Sequence, residues 1–255
     1  MDCKAGDLPD DTSGKTRADE LVTAIVLQSR LDSKRLPGKA LLLLDGRPLV
    51  FRVMEALNRV PANLRILACP EDSFSSFAPL AAEAGFQIYA GPKEDVLERY
   101  CQVIRRFSIN RVIRATGDNP FVFTDAAAAI NAEAMALNAD YSGYSGLPIG
   151  AGVESTAASA LLRAGEEADL PFEREHVCPY LYSHPELFRL HRPLAPLRWQ
   201  DQRAADAENE GKIRLTVDTR EDFDRAAELY AALKDDPRRY IGAAIIKRYT
   251  EIFRQ

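Results

Sequence analysis

The amino-acid sequence predicts an α/β protein built on a doubly wound, mostly parallel β-sheet. Short apolar runs of strand length alternate with helix-like patterns from residue 21 to residue 138, and this alternation is typical of a parallel sheet with helices on both faces. The composition, with 46% hydrophobic and 28% charged residues, is that of a globular protein. A length of 255 residues suits one large domain, or a core with an arm.

The first half of the chain carries the regular part of this pattern. Its predicted strands are apolar runs between turn residues, at residues 21–27, 64–69, 86–90 and 111–115. Its predicted helices have apolar residues at helical spacing, within residues 48–57, 70–85, 96–107 and 125–138. Pro48 marks the first helix start, because proline fits the first turn of a helix.

The second half is less regular, and a smaller, irregular region is expected there. The predicted strands are residues 140–145, 153–157, 186–191 and 213–217. The predicted helices are residues 158–169, 172–183, 223–233 and 241–252. Residues 193–211 have many charges and few apolar side chains, which predicts an exposed loop. Residues 1–20 are polar and rich in Gly, Pro and Asp, which predicts a disordered tail before a single domain at residues 21–255.

Charge and cysteine content argue against several classes of protein. The net charge of −5 is unfavourable for a nucleic-acid-binding protein, which needs a basic surface. The four cysteines, Cys3, Cys69, Cys101 and Cys178, form no CxxC pair, so we expect a reducing compartment rather than a zinc site or disulfides. No apolar run approaches the roughly 20 residues of a membrane span, and the first twenty residues lack the apolar core of a secretion signal. These features predict a cytoplasmic protein with no nucleic-acid or membrane partner.

The most informative stretch is a basic loop, residues 28–39, directly after the first predicted strand. It places four cations, Arg30, Lys34, Arg35 and Lys39, among small or flexible residues. Open α/β sheets bind ligands at the carboxyl ends of their strands, and phosphate oxygens need backbone N–H groups and Lys or Arg side chains. The loop is therefore a candidate polyphosphate cradle. The alternative is a solvated turn, since the spacing matches neither a P-loop nor a dinucleotide fingerprint.

Two aspartates follow predicted strands and could hold a divalent cation. Asp118 comes after Gly117 at the end of the fourth strand, and Asp218 directly follows residues 213–217. Mg²⁺ prefers one or two carboxylates together with phosphate oxygens and water, so these carboxylates beside a basic loop would form a Mg²⁺–triphosphate site. Both also have an alternative role as helix caps, and Asp218 could cap the next helix with Glu221 completing a capping box.

These segments resemble the sugar-acid cytidylyltransferases, the family of the CMP-Kdo and CMP-acylneuraminate synthetases. The resemblance is strongest to the branch typified by spore coat polysaccharide biosynthesis protein F. Residues 29–39 are similar to the family signature Ala-Arg-x-x-Ser-x-Arg-Leu-Pro-Gly-Lys. Further matches follow in order at residues 94–100, 114–120, 174–177 and 215–223.

The resemblance implies a nucleotide-diphospho-sugar transferase-like, Rossmann-type fold and a Mg²⁺-dependent reaction. CTP and a small sugar would give a CMP-sugar and pyrophosphate, for surface polysaccharide or glycoconjugate synthesis. Residues 21–138 would be the nucleotide-binding half, and residues 139–255 the substrate and dimerisation half of a homodimer. The implied catalytic residues are Arg30, Lys39, Asp118 and Asp218, with the two aspartates as metal ligands.

Two sets of binding residues are predicted, from the resemblance and from the position of several residues in the irregular second half. The nucleotide-binding set is Gln28, Ser29, Arg30, Ser33, Arg35, Gly38, Lys39, Asp95, Thr116 and Gly117. The substrate-binding set is Asn119, Glu154, Arg174, Glu175 and His176. Arg174 could bind a substrate carboxylate through two hydrogen bonds, as expected for an acidic, nonulosonic-type sugar. Alternatively, residues 173–177 only begin a helix, and Asp95 only caps one.

One residue of the loop departs from the family pattern in charge. Asp32 stands where the family usually has Gly, two residues after Arg30. It brings a negative charge to the expected triphosphate site, so its side chain either points away or weakens nucleotide binding. Asp32 is the one feature that supports a nucleotide-binding homologue without catalysis. A second alternative keeps the fold but changes the substrate: a nucleotidyltransferase for a phosphorylated sugar, alcohol or phosphonate.

Overall fold

The structure, a computed structural model, describes residues 21–201 and 213–253. The predicted tail at residues 1–20 and residues 202–211 of the predicted loop lie outside the described residues. Within the described part, seven strands form one sheet and two form a small hairpin. The strands are β1 (Thr23–Gln28), β2 (Leu43–Leu44), β3 (Arg47–Pro48), β4 (Leu64–Pro70), β5 (Gln87–Gly91), β6 (Arg111–Thr116), β7 (Tyr141–Ser142), β8 (Glu154–Ala157) and β9 (Leu190–His191).

The sheet confirms the predicted doubly wound, mostly parallel architecture. Its strand order is β5-β4-β1-β6-β8-β7-β9. Strands β5, β4, β1 and β6 run parallel, whereas β8 runs antiparallel to both β6 and β7, and β9 is parallel to β7. One sheet thus takes strands from both predicted halves of the chain.

Helices cover both faces of this sheet. They are α1 (Leu49–Leu57), α2 (Phe74–Glu83), α3 (Val96–Phe107), α4 (Thr124–Ala136), α5 (Ala158–Glu167), α6 (Pro171–His176), α7 (Pro179–Ser183), α8 (Arg220–Leu233) and α9 (Gly242–Phe253). Because side chains alternate along a strand, Ala24 and Val26 of β1 pack in a core with α3, α5 and α7. Ile25 and Leu27 pack in a second core with α1, α2 and α4. Helices α8 and α9 form a third core beside α4.

The strand order reverses between β1 and β6. We call the space at the carboxyl ends of these two strands the crevice. From β1 the chain builds outward through β4 and β5, then returns to place β6 on the opposite side of β1. In doubly wound sheets, ligands bind at the point where the strand order reverses. The basic loop leaves β1 at this point and Asp118 follows β6, so both predicted segments flank the crevice.

Residues 213–217, predicted as a strand, lie outside the sheet. They form an extended segment joined to the rest by an isolated bridge between Ile149 and Arg214 and by the N–H of Val217, which donates to the carbonyl oxygen of Asp118 (2.9 Å). Ile213, Leu215 and Val217 are buried in the third core. Burial of alternate residues produced the strand-like pattern, because such burial does not require a sheet ladder.

Several other boundaries in the second half differ from the prediction. The single helix predicted at residues 172–183 is two short helices, α6 and α7, broken at Val177, whose φ is 74°. Pro179 explains the break, since its ring is incompatible with the interior of a helix. The strands predicted at residues 140–145 and 186–191 shrink to the two-residue β7 and β9.

The segment before residue 202 is also less exposed than predicted. Trp199 is 1% exposed, and its Nε1–H donates to the Asp125 carboxylate at 2.7 Å. Cys69, Cys101 and Cys178 are free and buried, whereas Cys3 lies outside the described residues. Among residues 21–201 and 213–253, none of the helices combines the length and the apolar character that a bilayer span requires.

Candidate active site

The basic loop folds back on itself before a short 3₁₀ turn at Lys39–Leu41. The N–H of Gly38 donates to the Leu31 carbonyl oxygen (3.0 Å), and the N–H of Leu36 donates to the Ser33 hydroxyl (3.4 Å). Gly38 has a φ of 69°, a left-handed conformation that glycine adopts without steric cost. The loop therefore reverses direction at Gly38 and delivers Lys39 to the crevice.

Lys39 links the two predicted metal ligands. Its ammonium donates to Asp118 Oδ2 at 2.9 Å, to Asp218 Oδ1 at 3.0 Å and to the Val217 carbonyl oxygen at 2.7 Å. These three bonds use all three ammonium protons. The Lys39 side chain is only 14% exposed. Lys39, Asp118 and Asp218, predicted from three separate segments, thus meet at one point.

Three cationic side chains contact the Asp218 carboxylate, those of Lys39, Arg35 and Arg214. Arg35 approaches Oδ1 at 3.0 Å, and Arg214 donates to Oδ2 at 2.6 Å. Burial alone would raise the pKa of Asp218, but the hydrogen bond from Lys39 and the charges of Lys39, Arg35 and Arg214 outweigh burial and lower the pKa. The carboxylate is therefore ionised at neutral pH. The cations are shared with other carboxylates, since Lys39 also binds Asp118 and Arg214 also binds Asp222.

The chemistry of these donors fits Mg²⁺. Asp118 Oδ2 and Asp218 Oδ1 converge on a single cation, the Lys39 ammonium. In residues 21–201 and 213–253, no group of three or more His, Cys, Asp or Glu side chains is placed to hold a metal ion. Two carboxylates completed by phosphate oxygens and water are the usual surroundings of Mg²⁺, so Asp118 and Asp218 could hold it only together with such ligands.

Asp32 is neutralised by cations of its own. Its Oδ2 lies 2.9 Å from Lys93 Nζ, which also binds Asp72 at 2.7 Å. Its Oδ1 lies 3.5 Å from Nε of Arg30. The hydrogen bond from Lys93 is the main reason that the pKa of Asp32 is lowered. Sequence reasoning left two orientations open, and the structure directs this side chain toward Lys93.

Glu154 belongs to a polar chain on the α3 side of the sheet. It forms an ion pair with Arg114 and accepts a hydrogen bond from the Tyr141 hydroxyl (2.9 Å). Arg114 in turn donates to Gln28 Oε1 at 3.2 Å. This chain connects the predicted substrate residue Glu154 to the predicted nucleotide residue Gln28, at the start of the basic loop.

Arg174 and Asp95 bind each other. Two guanidinium nitrogens of Arg174 lie 2.6 and 2.7 Å from Asp95 Oδ2, and Nη1 donates to the Ala168 carbonyl oxygen (2.8 Å). Asp95 also caps α3 by accepting from the N–H of Glu98 (2.9 Å). The capping role considered for Asp95 is therefore present. The Arg174 guanidinium holds α6 against the start of α3. Binding of a substrate carboxylate by Arg174 stays a prediction.

The remaining predicted residues divide between the crevice and its rim. Gly117 lies so close to Ser29 that an added Cβ would stand 2.5 Å from the Ser29 hydroxyl oxygen. Asn119 donates to the Thr116 hydroxyl (2.8 Å), and its own side-chain oxygen is buried and accepts no hydrogen bond from the described part of the chain.

The α6 residues are more distant. Glu175 is half-exposed and lies 3.8 Å from Arg30. The exposed His176 ring contacts the ring of Phe172, with centroids 4.6 Å apart. The structure therefore connects Glu175 to the basic loop, but it brings His176 to none of the other predicted site residues.

Sequence reasoning missed two charged residues near Asp218. The N-cap of α8 is Thr219, in a capping box with Asp222, whereas Asp218 and Glu221 were the predicted pair. Arg214 binds both Asp218 and Asp222. The pattern Thr-x-x-Asp at residues 219–222 was a signal for the box, but nothing in the spacing indicated Arg214.

Comparison with known proteins connects this arrangement to a family. A family model described as Cytidylyltransferase matches residues 24–243. The chain is 29% identical over 219 residues to spore coat polysaccharide biosynthesis protein SpsF of Bacillus subtilis (strain 168). The aligned region covers 83% of this chain and 88% of that protein. The chain is 26% identical over 242 residues to 3-deoxy-manno-octulosonate cytidylyltransferase of Anaeromyxobacter dehalogenans (strain 2CP-C), with 82% and 98% covered.

The solved structures agree on the fold. A cytidylyltransferase from Leptospira borgpetersenii serovar Hardjo-bovis (strain JB197) superposes with a TM-score of 0.78 at 20% identity, covering 91% of this chain and 94% of that one. The fold is accordingly that of the nucleotide-diphospho-sugar transferases, as the motifs predicted. Since the family model spans most of the sequence, this protein belongs to the cytidylyltransferase family and is a nucleotidyltransferase.

Proposed function

We propose that this protein transfers a cytidylyl group from CTP to a hydroxyl of a sugar and releases pyrophosphate, with Mg²⁺ as its cofactor. The observation that carries the proposal is the convergence of Lys39, Asp118 and Asp218 at the carboxyl ends of β1 and β6. A triphosphate and a divalent cation need cationic side chains and carboxylates in one place, and this crevice supplies both.

The reaction is a displacement at the α-phosphorus of CTP. The sugar hydroxyl oxygen forms a bond to this phosphorus and releases its proton to solvent, while the bond to the bridging oxygen breaks and pyrophosphate leaves with the electron pair of that bond. Arg30, Arg35 and Lys39 offset the negative charge that develops on the leaving pyrophosphate. Asp118 and Asp218 would hold Mg²⁺, which when bound supplies further positive charge to the phosphate oxygens.

The acceptor is proposed to bind on the β6–β8 side of the crevice. Glu154 is partly exposed on that side. Its carboxylate, which is held by the buried Tyr141 and by Arg114 next to Gln28, could accept hydrogen bonds from the hydroxyls of a sugar. The names of the two relatives, one in spore coat polysaccharide biosynthesis and one acting on 3-deoxy-manno-octulosonate, support a sugar acceptor used in surface polysaccharide synthesis. An acidic sugar, a homodimer and a cytoplasmic location remain part of the proposal.

Pyrophosphate release tests this function. The protein is incubated with Mg²⁺, each of the four nucleoside triphosphates, and a panel of neutral, acidic and phosphorylated sugars. We expect release with CTP and a non-phosphorylated sugar. Asp118→Asn is expected to lower the rate by at least about 100-fold, because it removes a metal ligand.

Asp224→Asn serves as the matched control for Asp118→Asn. Asp224 is an exposed aspartate that binds Arg220 on the outer side of α8, so its substitution should leave the rate unchanged. Turnover only with phosphorylated acceptors would replace the proposal by a nucleotidyltransferase for a phosphorylated sugar, alcohol or phosphonate. Binding of CTP without turnover on any acceptor would favour the non-catalytic homologue.

A further inference from the structure

Asp222 organises the backbone around Asp218. Its Oδ2 accepts hydrogen bonds from the N–H groups of both Asp218 (3.0 Å) and Thr219 (3.1 Å). In return, the N–H of Asp222 donates to the Thr219 hydroxyl (3.2 Å). The Asp222 side chain is only 6% exposed. The backbone that carries Asp218 is therefore fixed by a buried carboxylate four residues later.

Arg214 binds one oxygen of the Asp218 carboxylate and also binds Asp222. Its Nε donates to Asp222 Oδ1 at 3.2 Å, and its Nη2 donates to Asp218 Oδ2 at 2.6 Å. The other oxygen of Asp218, Oδ1, faces Lys39 and Arg35, each at 3.0 Å. A metal ion at Oδ1 would take the place that the Lys39 ammonium holds between Asp218 and Asp118. One guanidinium thus spans both carboxylates and holds the outer oxygen of Asp218.

The segment that carries Arg214 is itself anchored to the crevice. The N–H of Leu215 donates to the Ile149 carbonyl oxygen (2.8 Å), and the N–H of Val217 donates to the Asp118 carbonyl oxygen (2.9 Å). Arg214 therefore starts from a backbone fixed relative to Asp118, so its grip on Asp218 also sets the distance between the two predicted metal ligands.

We propose that Arg214 and Asp222 are positioning residues, which hold the Asp218 side chain so that Oδ1 faces the cation site while Oδ2 is withheld from it. This inference rests on the proposed function, in which Asp218 binds Mg²⁺. Partners that orient a metal ligand set its rotamer and its basicity. A capping box alone would stabilise α8 but would give no role to Arg214, which precedes that helix.

Direct measurement of metal binding tests the positioning role. Mn²⁺ is titrated into the protein–CTP complex and followed by electron paramagnetic resonance, and the Mg²⁺ concentration for half-maximal activity is measured separately. We expect Arg214→Met to weaken Mn²⁺ binding about 10- to 100-fold and to raise the Mg²⁺ requirement by a similar factor. Arg214→Lys should recover only part of the loss, since lysine keeps the charge but not the planar fork.

The controls separate this inference from the proposed function. Arg220→Met removes an exposed ion pair with Asp224 on the same helix and should bind Mn²⁺ like the wild type. If Asp218→Asn abolishes Mn²⁺ binding while folded Arg214→Met binds normally, the positioning role is wrong and the metal site stands. If Asp218→Asn binds Mn²⁺ normally, Asp218 is not a metal ligand and the positioning role is wrong with it, whereas cytidylyl transfer is decided by the pyrophosphate-release assay. Asp222→Asn should behave as Arg214→Met does, and if it fails to fold, Arg214→Met alone decides.

Discussion

At the scale of single residues, Asp32 is an acidic residue within the basic loop, and its charge is offset by a cation outside that loop. The ion pairs of Lys93 with Asp32 and Asp72 join the loops that follow β1, β4 and β5. Leu31 is tied to the same place, because its N–H donates to the Ser73 hydroxyl (3.4 Å). The charge of Asp32 is thus offset by a residue of another loop.

Removal of Lys93 should therefore expose the charge of Asp32 to the nucleotide. We expect Lys93→Ala to raise the KM for CTP by about two- to fivefold, a small change because all three side chains are partly exposed and water screens such ion pairs. The measurement is steady-state kinetics at low and high salt, since screening should shrink the effect.

The double variant Lys93→Ala/Asp32→Asn provides the decisive comparison. If Lys93 acts by neutralising Asp32, removing both charges should return the KM for CTP close to the wild-type value. A double variant as impaired as Lys93→Ala would mean that Lys93 contacts the nucleotide itself. The sequence indicated that the negative charge of Asp32 is unfavourable beside a triphosphate. Lys93 lies 61 positions later in the chain, so no local sequence pattern could pair the two residues.

At the scale of elements, strands and helices with strong periodicity were predictable and short extended segments were not. The strands β1, β4, β5 and β6 appear within two residues of their predicted bounds, because each combines an apolar run with clear turn signals. Residues 213–217 show the same pattern for another reason, namely one-sided burial in the third core. Only the tertiary structure distinguishes the two cases.

Gly150 tests how tightly that segment is held. Gly150 has a φ of 87°, and an added Cβ would stand 2.5 Å from the backbone nitrogen of Thr216. Gly150→Ala should cost about 1–2 kcal/mol for the left-handed backbone and about 1–3 kcal/mol more for displacing residues 215–216. Activity should fall as well, because Asp218 follows this segment. Urea denaturation with an activity assay measures both effects.

Gly46→Ala is the matched control for Gly150→Ala. Gly46 has a similar φ of 75° in the β2–β3 turn, but no atom of the described residues lies within 4 Å of its added Cβ. Its substitution should therefore show the backbone cost alone and leave activity intact. Equal losses of stability in the two variants would contradict the close approach between Gly150 and Thr216.

At the scale of the whole molecule, the candidate site was more predictable than the connections that support it. Chain alternation predicted that β1 and β6 would end at one edge of the sheet, so Lys39 and Asp118 were expected to meet. Asp218 joins them although it ends no sheet strand, because the N–H of Val217 binds the Asp118 carbonyl oxygen. The ion pair between Arg174 and Asp95 was unpredictable, since it depends on how α6 packs against α3.

The buried thiols report on the stability of the two cores that flank the sheet. Cys69 lies in the core with α1 and α2, and Cys101 in the core with α3 and α5. Burial raises the pKa of each thiol from 9.0 to about 11, because the apolar core disfavours the thiolate. In the unfolded chain both thiols ionise near their ordinary pKa, so the unfolded state loses protons first as the pH rises.

The free energy of unfolding should therefore fall between pH 8.5 and pH 10, by about 1 kcal/mol for each of these two thiols. Cys178 adds to the fall, because burial raises its pKa as well. A raised folded-state pKa contributes stability that is complete below the pKa of the unfolded thiol and is lost as the pH approaches the folded value. Urea denaturation at intervals of half a pH unit measures this slope.

Cys69→Ala should lower stability at pH 7 through the cavity it leaves, yet show a shallower alkaline slope, since one titrating group is gone. A slope unchanged by that substitution would mean that the Cys69 thiol ionises in the folded protein as readily as in the unfolded chain, which a fully buried side chain in an apolar core should not permit.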